Sequence, residues 1–443
     1  MLEQVDLDLI FGTAHKRGFI DCEVYAETRF HTEVTVRGRL DQTRCLTTGG
    51  VAITLFDGWS TRCLSSSDVS TAAILALLTG ERRVYSEANE TRNLVPAPFA
   101  DMKEKVALLT ASVRAAWAEE EELGSPSARF DGIVRHFEVV DTKGNRSEGC
   151  EEEAACSSSF TTQIAGKPAS FTHDFSLPSI DRFFDELRTR NRLAERVRRA
   201  LRIRTPWPAP RGELPVVWSA RATAKLCLQF LRAFEGDLVL RNLSFLNETS
   251  LPLELAFGLE ERAPGGDGRC DHEGSRLRPG SIFRCGRPTA LACDNRIAAE
   301  LSVPTTGHCR RQSFETPSTI GFWSPRLVPS ATEPSLLDGL ARGLSVHDFD
   351  VIRFNPASGE IRLRLSDVFL VHHGEEGEAV APIEITMELP DLLQRLERFS
   401  ALEESQGFFI HKGQQRFLTE VTAPASLSRP IAIPGSVPLA NYW

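Results

Sequence analysis

Apolar residues at every fourth position predict a core-facing helix in the middle of the chain. The stretch before them, Pro215 to Trp218, is a short apolar run that we expect to form a strand. The helix is expected to start near Ser219 and to end at Glu235-Gly236-Asp237. Its periodic residues are Ala222, Leu226, Phe230 and Phe234. The pattern therefore predicts a strand that leads into an amphipathic helix with one buried face.

Alternation with period two predicts antiparallel strands in the N-terminal half. Residues 21–64 alternate apolar and polar side chains, with expected turns at Gly49-Gly50 and Asp57-Gly58. Further strands are expected at residues 132–140 and 148–165. The expected helices are 3–17, 69–78, 102–122 (followed by a turn at Gly124-Ser125-Pro126) and a long helix from Ser179 to about Ile203. We therefore expect this half to be a sheet covered by helices.

Three prolines between Thr205 and Gly212 predict an extended linker, because proline interrupts helices and favours extended backbone. We place a domain boundary there: an N-terminal α+β domain at 1–204, a linker at 205–214 and a C-terminal β-rich domain at 215–443. The strands expected after it are 251–259, 349–354, 360–371, 378–387, 407–411 and 415–421. A glycine-rich loop is expected at 264–268, and helices at 335–343 and 389–402. The prediction is a two-domain α+β protein whose second domain is mostly antiparallel sheet or open barrel, with the central helix.

Composition narrows the class of protein. The 443 residues are 41% hydrophobic and 25% charged, as in ordinary globular proteins, and exceed what one hydrophobic core supports. A net charge of −9 argues against nucleic acid as a partner. The sequence contains no signal peptide and no apolar run long enough to span a membrane. Ten cysteines without a CxxC pair indicate reduced thiols, so we expect a cytoplasmic protein that does not bind membranes.

The central helix with its E-G-D ending resembles the TldD/PmbA family of metallopeptidases. Active members carry HExxxH on this helix, and the matching positions here are Cys227, Leu228 and Arg232. A zinc hydrolase needs imidazole ligands and a general-base carboxylate, which these three side chains cannot provide. Active members also take a cysteine ligand before a G-Q pair; Gly413-Gln414 is the counterpart, and the ligand position falls at or near Phe409. The resemblance thus implies the family's fold without the family's metal site.

Other segments extend the resemblance along the chain. Asp271-His272-Glu273-Gly274 is similar to a D-x-E-G element, and residues 304–311 are similar to a P-T-G-N-x-R-R segment. Within them, Asp271, Glu273 and Arg310 are the candidate substrate-binding residues.

The pattern is similar to the PmbA branch of the family, also called TldE, which lacks the zinc site. The resemblance implies a heterodimer with a TldD-like chain that carries the zinc. The implied activity of the pair is trimming or degradation of peptides, including precursors of peptide natural products. This chain is then expected to have no catalytic residue, no metal and no cofactor of its own.

Two alternatives stay open on the sequence. Six side chains within forty residues could form a replacement site for zinc or thiol chemistry in a stand-alone hydrolase, although their spacing matches no standard zinc motif. These side chains are Cys270, His272, Cys285, Cys293, His308 and Cys309. The other alternative is a homodimer that binds peptides without cleaving them.

Overall fold

We describe the protein from a computed structural model. The described residues are 1–37, 40–80, 102–118, 124–164, 167–189, 192–203, 205–247, 253–263 and 269–435. The expected glycine-rich loop at 264–268 lies outside them. The fold is α+β, as the sequence predicts, with one antiparallel and one mixed sheet.

Within the described residues, six strands form an antiparallel sheet in the N-terminal half, in the order β3-β2-β1-β4-β5-β6. The strands are β1 (Asp21–Arg37), β2 (Leu40–Phe56), β3 (Thr61–Ser66), β4 (Gly124–Asp141), β5 (Arg146–Ile164) and β6 (Lys167–Leu177). The predicted meander is confirmed, and its strands are longer than the apolar alternation alone indicated. Gly124-Ser125-Pro126 belongs to β4, so the turn expected there is wrong.

Gly49 and Gly50 do not form the expected turn. They lie inside β2, where they pair with Thr28 and Glu27 of β1. A Cβ atom on Gly50 would lie 2.3 Å from the ring of Phe314. The glycine is therefore needed for the close approach of an aromatic ring to the sheet, a requirement that the local sequence does not reveal.

Helices cover parts of this sheet. They are α1 (Leu7–Lys16), α2 (Thr71–Thr79), α3 (Met102–Ala118), α4 (Ile180–Thr189) and α5 (Arg192–Arg202). Helices α1 and α2 share a hydrophobic cluster with the end of the sheet near Val24 and Ile53. The long helix predicted from Ser179 is seen as α4 and α5, on either side of residues 190–191, which are outside the described part.

The second sheet is mixed. Its strands are β7 (Gly212–Trp218), β8 (Phe257–Glu261), β9 (Gly280–Arg284), β10 (Arg287–Pro288), β13 (Pro325–Pro329), β14 (Arg342–Phe354), β15 (Glu360–His372), β16 (Glu375–Ala379), β17 (Ile383–Glu388), β18 (Leu396–Lys412) and β19 (Gln415–Ile433). Strands β11 (Cys309–Arg310) and β12 (Thr319–Ile320) form a separate ladder. The order is β10-β9-β8-β13-β19-β7-β14-β15-β16, with β17 paired to β15 and β18 to β19. Most pairs are antiparallel, while β7 runs parallel to β14 and β13 runs parallel to β19.

The central strand and helix form as predicted. Strand β7 leads into α6 (Ala220–Leu231), and the Ser219 side chain caps the helix by accepting a hydrogen bond from the Ala222 N–H at 3.1 Å. The four periodic residues, from Ala222 to Phe234, are all completely buried. The other helices of this half are α7 (Gly236–Leu240), α8 (Asn295–Leu301) and α9 (Leu389–Gln394).

Two expected C-terminal helices differ from the structure. No helix forms at residues 335–343, because Glu333 pairs through its backbone with Phe399 and Ala401, and Leu336 packs against the sheet from a turn. The predicted helix at 389–402 ends at Gln394, since the chain from Leu396 onward pairs with β19. The expected strand at 378–387 is divided into β16 and β17, and the strand expected from residue 251 begins at Phe257.

Residues 205–211 of the predicted linker (205–214) are not helical, and its last three residues belong to a strand. Trp207 forms an isolated bridge with Val380, and β7 begins at Gly212. The domain boundary itself stays a prediction. No helix of the described chain is long and apolar enough to cross a bilayer.

The turn after the central helix supplies a first test. A Cβ on Gly236 would lie 2.7 Å from both Cys293 Sγ and Ile297 Cγ2 of the α8 region. We therefore expect Gly236→Ala to lower the free energy of unfolding by about 1–3 kcal/mol, as overpacking does. Gly12→Ala is the control, because a Cβ there meets nothing within 4 Å and the site is an exposed helix position.

Alanine at Gly12 should stabilise the chain by roughly 0.5–1 kcal/mol. Urea unfolding of both variants checks the pair. Equal stability of Gly236→Ala and the unsubstituted chain would contradict the close packing of α7 against α8.

Candidate functional site

A cleft of about 620 Å³ lies between the first sheet and the central helix. Strands β4, β5 and β6 form one wall, with Arg129, Asp131 and Asp174 among its residues. Helix α6 and strands β14, β18 and β19 form the other wall. The residues lining that wall include Arg221, Lys225, Leu228, Gln229, Phe349, Asp350, Phe408, Phe409, His411 and Arg416. We refer to this space as the cleft.

The three helix positions of the predicted metal motif have separate environments. Leu228 lines the cleft and is 7% exposed. Cys227 is fully buried in the hydrophobic core, and burial raises the pKa of its thiol well above the ordinary value. Arg232 begins the 3₁₀ turn after α6 and is half-buried, with its guanidinium 5.9 Å from the centre of the Phe354 ring. Of these three positions, only Leu228 lines the cleft. It matches the general base of the active members, and its side chain is a hydrocarbon.

Phe409 lies on β18 and also lines the cleft. It faces Leu418 in the register of β18 with β19, and the Arg416 guanidinium stacks 4.5 Å from the centre of its ring. Gly413, in the hairpin that follows, has the positive φ of 60° that the turn requires. The structure thus brings Leu228 and Phe409 to one cleft, and neither side chain offers an atom that binds zinc. The residues at these positions do not fit the metal of the active enzymes.

Charged groups of both signs line the cleft. Arg129 donates two hydrogen bonds of 3.0 Å to Asp131, and Arg221 forms an ion pair of 2.9 Å with Asp348. Lys225 also pairs with Asp348 and donates to the Phe349 carbonyl at 2.8 Å.

Three further charged residues line the cleft: Asp174, Asp350 and Arg416. Burial raises the pKa of the Asp350 carboxyl, although the Lys225 ammonium opposes the shift. Asp174 and Arg416 have no ion-pair partner within the described ranges. The cleft can therefore hold polar and charged groups of an extended ligand.

Residues 211–416 match the model of the PmbA/TldA metallopeptidase C-terminal domain. The C-terminal part of the chain, residues 211–416, therefore carries the C-terminal domain of this metallopeptidase family. Residues before 211 lie outside this match, and structural similarity alone connects them to the family's fold. No curated protein matches the sequence.

Three solved structures share the fold of nearly the whole chain. TldE from Thermococcus kodakarensis has a TM-score of 0.76 at 16% identity, covering 96% of this chain and 99% of that protein. A candidate modulator of DNA gyrase from Bacteroides thetaiotaomicron has a TM-score of 0.74 at 16% identity, with 97% of both chains covered. A similarly described protein from Thermotoga maritima has a TM-score of 0.73 at 18% identity, covering 97% of this chain and 99% of that one.

The E-G-D element of this chain has a clear structural role. The Glu235 carboxylate is 2% exposed and lies 2.7 Å from the ammonium of Lys412 on β18. Burial raises the pKa of Glu235, and the positive charge of Lys412 opposes that shift. Lys412 also donates to the Ile320 carbonyl. The ion pair joins the end of the helix that carries Leu228 to the strand that carries Phe409.

Asp271 organises a buried loop. Its carboxylate accepts hydrogen bonds from the backbone N–H groups of Glu273, Ser275 and Cys309 at 2.9 to 3.0 Å. Glu273 accepts a hydrogen bond of 2.9 Å from the backbone N–H of Asn295. These contacts join the D-x-E-G element to the P-T-T-G-H-C-R-R segment.

Arg310 is also buried in protein contacts. Its guanidinium donates to the carbonyls of Phe322 and Leu418 and lies 4.0 Å from the centre of the Trp323 ring. Neither it nor Asp271 or Glu273 lines the cleft. Their assignment to substrate binding stays a prediction, to which the structure adds a structural role for each.

A buried charge cluster at the junction of the two sheets was not anticipated from the sequence. The Glu151 carboxylate lies 2.8 Å from Arg269, 3.2 Å from His272 and 3.4 Å from Arg135. Burial alone would raise the pKa of Glu151, but these neighbours hold it well below its usual range. Burial lowers the pKa of His272 to about 4.

The cluster links the first sheet to the loops around His272 and Arg311 of the C-terminal half. Arg135 pairs in register with Glu151 and donates to the carbonyls of Arg311 and Gln312. The Arg311 guanidinium in turn reaches Glu23 of β1 at 3.0 Å. The available signal was the pair of charged residues at inward-facing positions of β4 and β5. Their partners 118 to 177 positions away could not be inferred from local pattern.

The six Cys and His side chains of the alternative site are largely occupied elsewhere. His272 accepts the Arg311 N–H and faces Glu151, while His308 bonds Thr306 and faces Glu261. Burial raises the thiol pKa of Cys270, of Cys293 (to about 12) and, well above its usual range, of Cys309. The described residues contain no group of three His, Cys, Asp or Glu placed to hold a metal ion. The structure therefore gives this alternative no supporting observation.

The Glu235–Lys412 pair supplies a second test. Lys412→Met leaves a buried carboxylate without its partner, which costs about 3–5 kcal/mol in comparable cases. We expect a loss of that order in the free energy of unfolding, measured in urea. The double variant Glu235→Gln with Lys412→Met should recover much of the loss, because the amide carries no charge.

Lys143→Met is the matched control. Lys143 is exposed in the turn between β4 and β5, so its replacement should change the free energy of unfolding by less than about 0.5 kcal/mol. A double variant as unstable as Lys412→Met would show that lost packing, and not the unpaired charge, determines the effect.

Proposed function

We propose that this chain is the non-catalytic, TldE-type subunit of a two-chain zinc peptidase. One observation carries the proposal: Leu228 and Phe409, which the resemblance places at or near the family's general-base and third-ligand positions, line one cleft of about 620 Å³. The active members' chemistry requires a carboxylate and a thiolate at those positions. A metal-bearing TldD-like homologue would supply the catalytic site.

The structural elements around the expected metal position support a role in a complex. Helix α6, the Glu235–Lys412 ion pair and the cleft are present, although the metal ligands are not. In this proposal the chain forms one wall of a shared chamber in the cytoplasm, and the chamber excludes folded proteins from the partner's zinc.

The proposed ligand is an extended peptide. Open charges of both signs, Asp174 and Arg416 among them, suit the polar groups of a peptide main chain and its side chains. Main-chain pairing to a sheet edge would tolerate many sequences, as in other proteins that bind peptides as added strands. Precursors of peptide natural products are among the substrates that this role would allow.

The test is co-expression with an HExxxH-bearing homologue, followed by size-exclusion chromatography and a peptide-cleavage assay. We expect the two chains to elute together and to cleave unstructured peptides, with neither chain active alone. A complex whose partner carries glutamine in place of the motif glutamate is the control and should be inactive, because the general base is lost.

Two outcomes would contradict the proposal. The chains could elute apart at micromolar concentration, or the partner could cleave equally well without this chain. A peptide-binding homodimer with no cleavage in either preparation would favour the alternative of a binding protein without catalysis.

A further inference from the structure

A side chamber of about 470 Å³ opens beside the cleft. Phe175 and Arg221 line both spaces, so the side chamber and the cleft share a wall. Strand β6 and helix α5 contribute one side of the chamber, and strands β7, β14 and β18 contribute to the other. Its volume is within the range of small-ligand sites, about 300–1,000 Å³. It can therefore hold the end of an extended chain but not a folded domain.

A histidine in this chamber is held in one orientation by its contacts. His347 Nε2 lies 2.7 Å from the Glu376 carboxylate, and its ring packs edge-on against Phe369. Ser345 donates a second hydrogen bond of 2.6 Å to the same carboxylate oxygen. Burial alone would raise the pKa of Glu376, but His347 and Ser345 lower it to about 2, so the group is a carboxylate at neutral pH.

The other ring nitrogen of His347 is available to a ligand. A neutral imidazole ring with its proton on Nε2, where Glu376 accepts it, keeps a lone pair on Nδ1. Nδ1 has no hydrogen-bond partner among the residues described, and the His347 side chain is 22% exposed. The arrangement is an accepting atom on the wall of a cavity, backed by a carboxylate whose other oxygen lies 3.8 Å from Arg202.

The charges around it favour a donor as the ligand. The two cations of the chamber are engaged by acids that do not line it: Arg199 by Asp367 at 3.3 Å and Arg221 by Asp348 at 2.9 Å. Glu195, an exposed residue of α5, adds a carboxylate to the wall. A ligand that donates N–H hydrogen bonds and carries positive charge therefore matches the chamber, whereas a carboxylate end does not.

We propose that the side chamber binds the free N-terminal ammonium of a peptide lying in the cleft, with His347 Nδ1 as the accepting atom. This inference rests on the proposed function, because it takes the cleft ligand to be a peptide. It goes further by assigning the peptide's direction, with its N-terminus at His347 in the side chamber and its following residues toward Leu228 in the cleft.

The test compares one labelled peptide with its N-acetylated form, using the full chain with and without the co-expressed partner. Acetylation removes the charge and most of the donors of the terminus. We expect the free peptide to bind about tenfold more tightly, the effect of one charge-assisted hydrogen bond. Fluorescence anisotropy with the label at the C-terminal end measures both affinities.

The second part of the experiment replaces His347, which carries the accepting nitrogen. His347→Leu should abolish the preference for the free terminus and leave the affinity for the acetylated peptide unchanged. His372→Leu is the matched control, since His372 is exposed at the end of β15 and does not line the chamber, and it should keep the preference. The acetylation comparison on the unsubstituted chain needs no variant to fold.

Each remaining outcome is decisive. Equal binding of both peptides by the unsubstituted chain, or a full preference retained in His347→Leu, overturns the assignment of the chamber and leaves the proposed function standing. Failure of both peptides to bind in either preparation overturns the assignment and also removes peptides as the ligand of the proposed function.

Discussion

The Glu151 carboxylate, buried between Arg135, Arg269 and His272, holds the loops of the C-terminal half against the first sheet, and the shape of the cleft wall depends on that contact. A buried charge is tolerated only when its partners are in place, and loss of one partner commonly costs about 3–5 kcal/mol. The cluster therefore permits little variation in how the loop around Arg311 meets the first sheet.

The effect of this constraint reaches the cleft through a short series of contacts. Arg135 donates to the carbonyl of Gln312, and the Gln312 side chain accepts the backbone N–H of Arg416. Arg416 stacks on Phe409, which lines the cleft. The junction between the halves and the wall of the candidate site are thus parts of one contact network. The proposed role, which is to present a shaped wall to a partner's site, would require this network.

Local sequence patterns predicted strand β7 and helix α6 well. They did not predict the buried charge cluster around Glu151. The four-residue period around Phe230 and the serine before it contain all that a capped, buried helix requires. The helix predicted at 335–343 does not form, because Glu333 pairs with a distant strand and Leu336 packs against the sheet without a helix. Local reasoning failed at Gly50 for a related reason, since the residue that requires the glycine, Phe314, is far away in sequence. The positions of Leu228 and Phe409 were predicted from the family resemblance, but their shared cleft required the structure.

The central claim is that this chain keeps the family's fold but lacks the family's metal site. Elemental analysis of zinc in the purified chain, after dialysis against a weak chelator, tests it most directly. The account predicts far less than one zinc ion per chain, because Leu228 and Phe409 offer no donors and the Cys227 thiol is buried with a raised pKa. A stoichiometric amount of zinc that survives the chelator would contradict it.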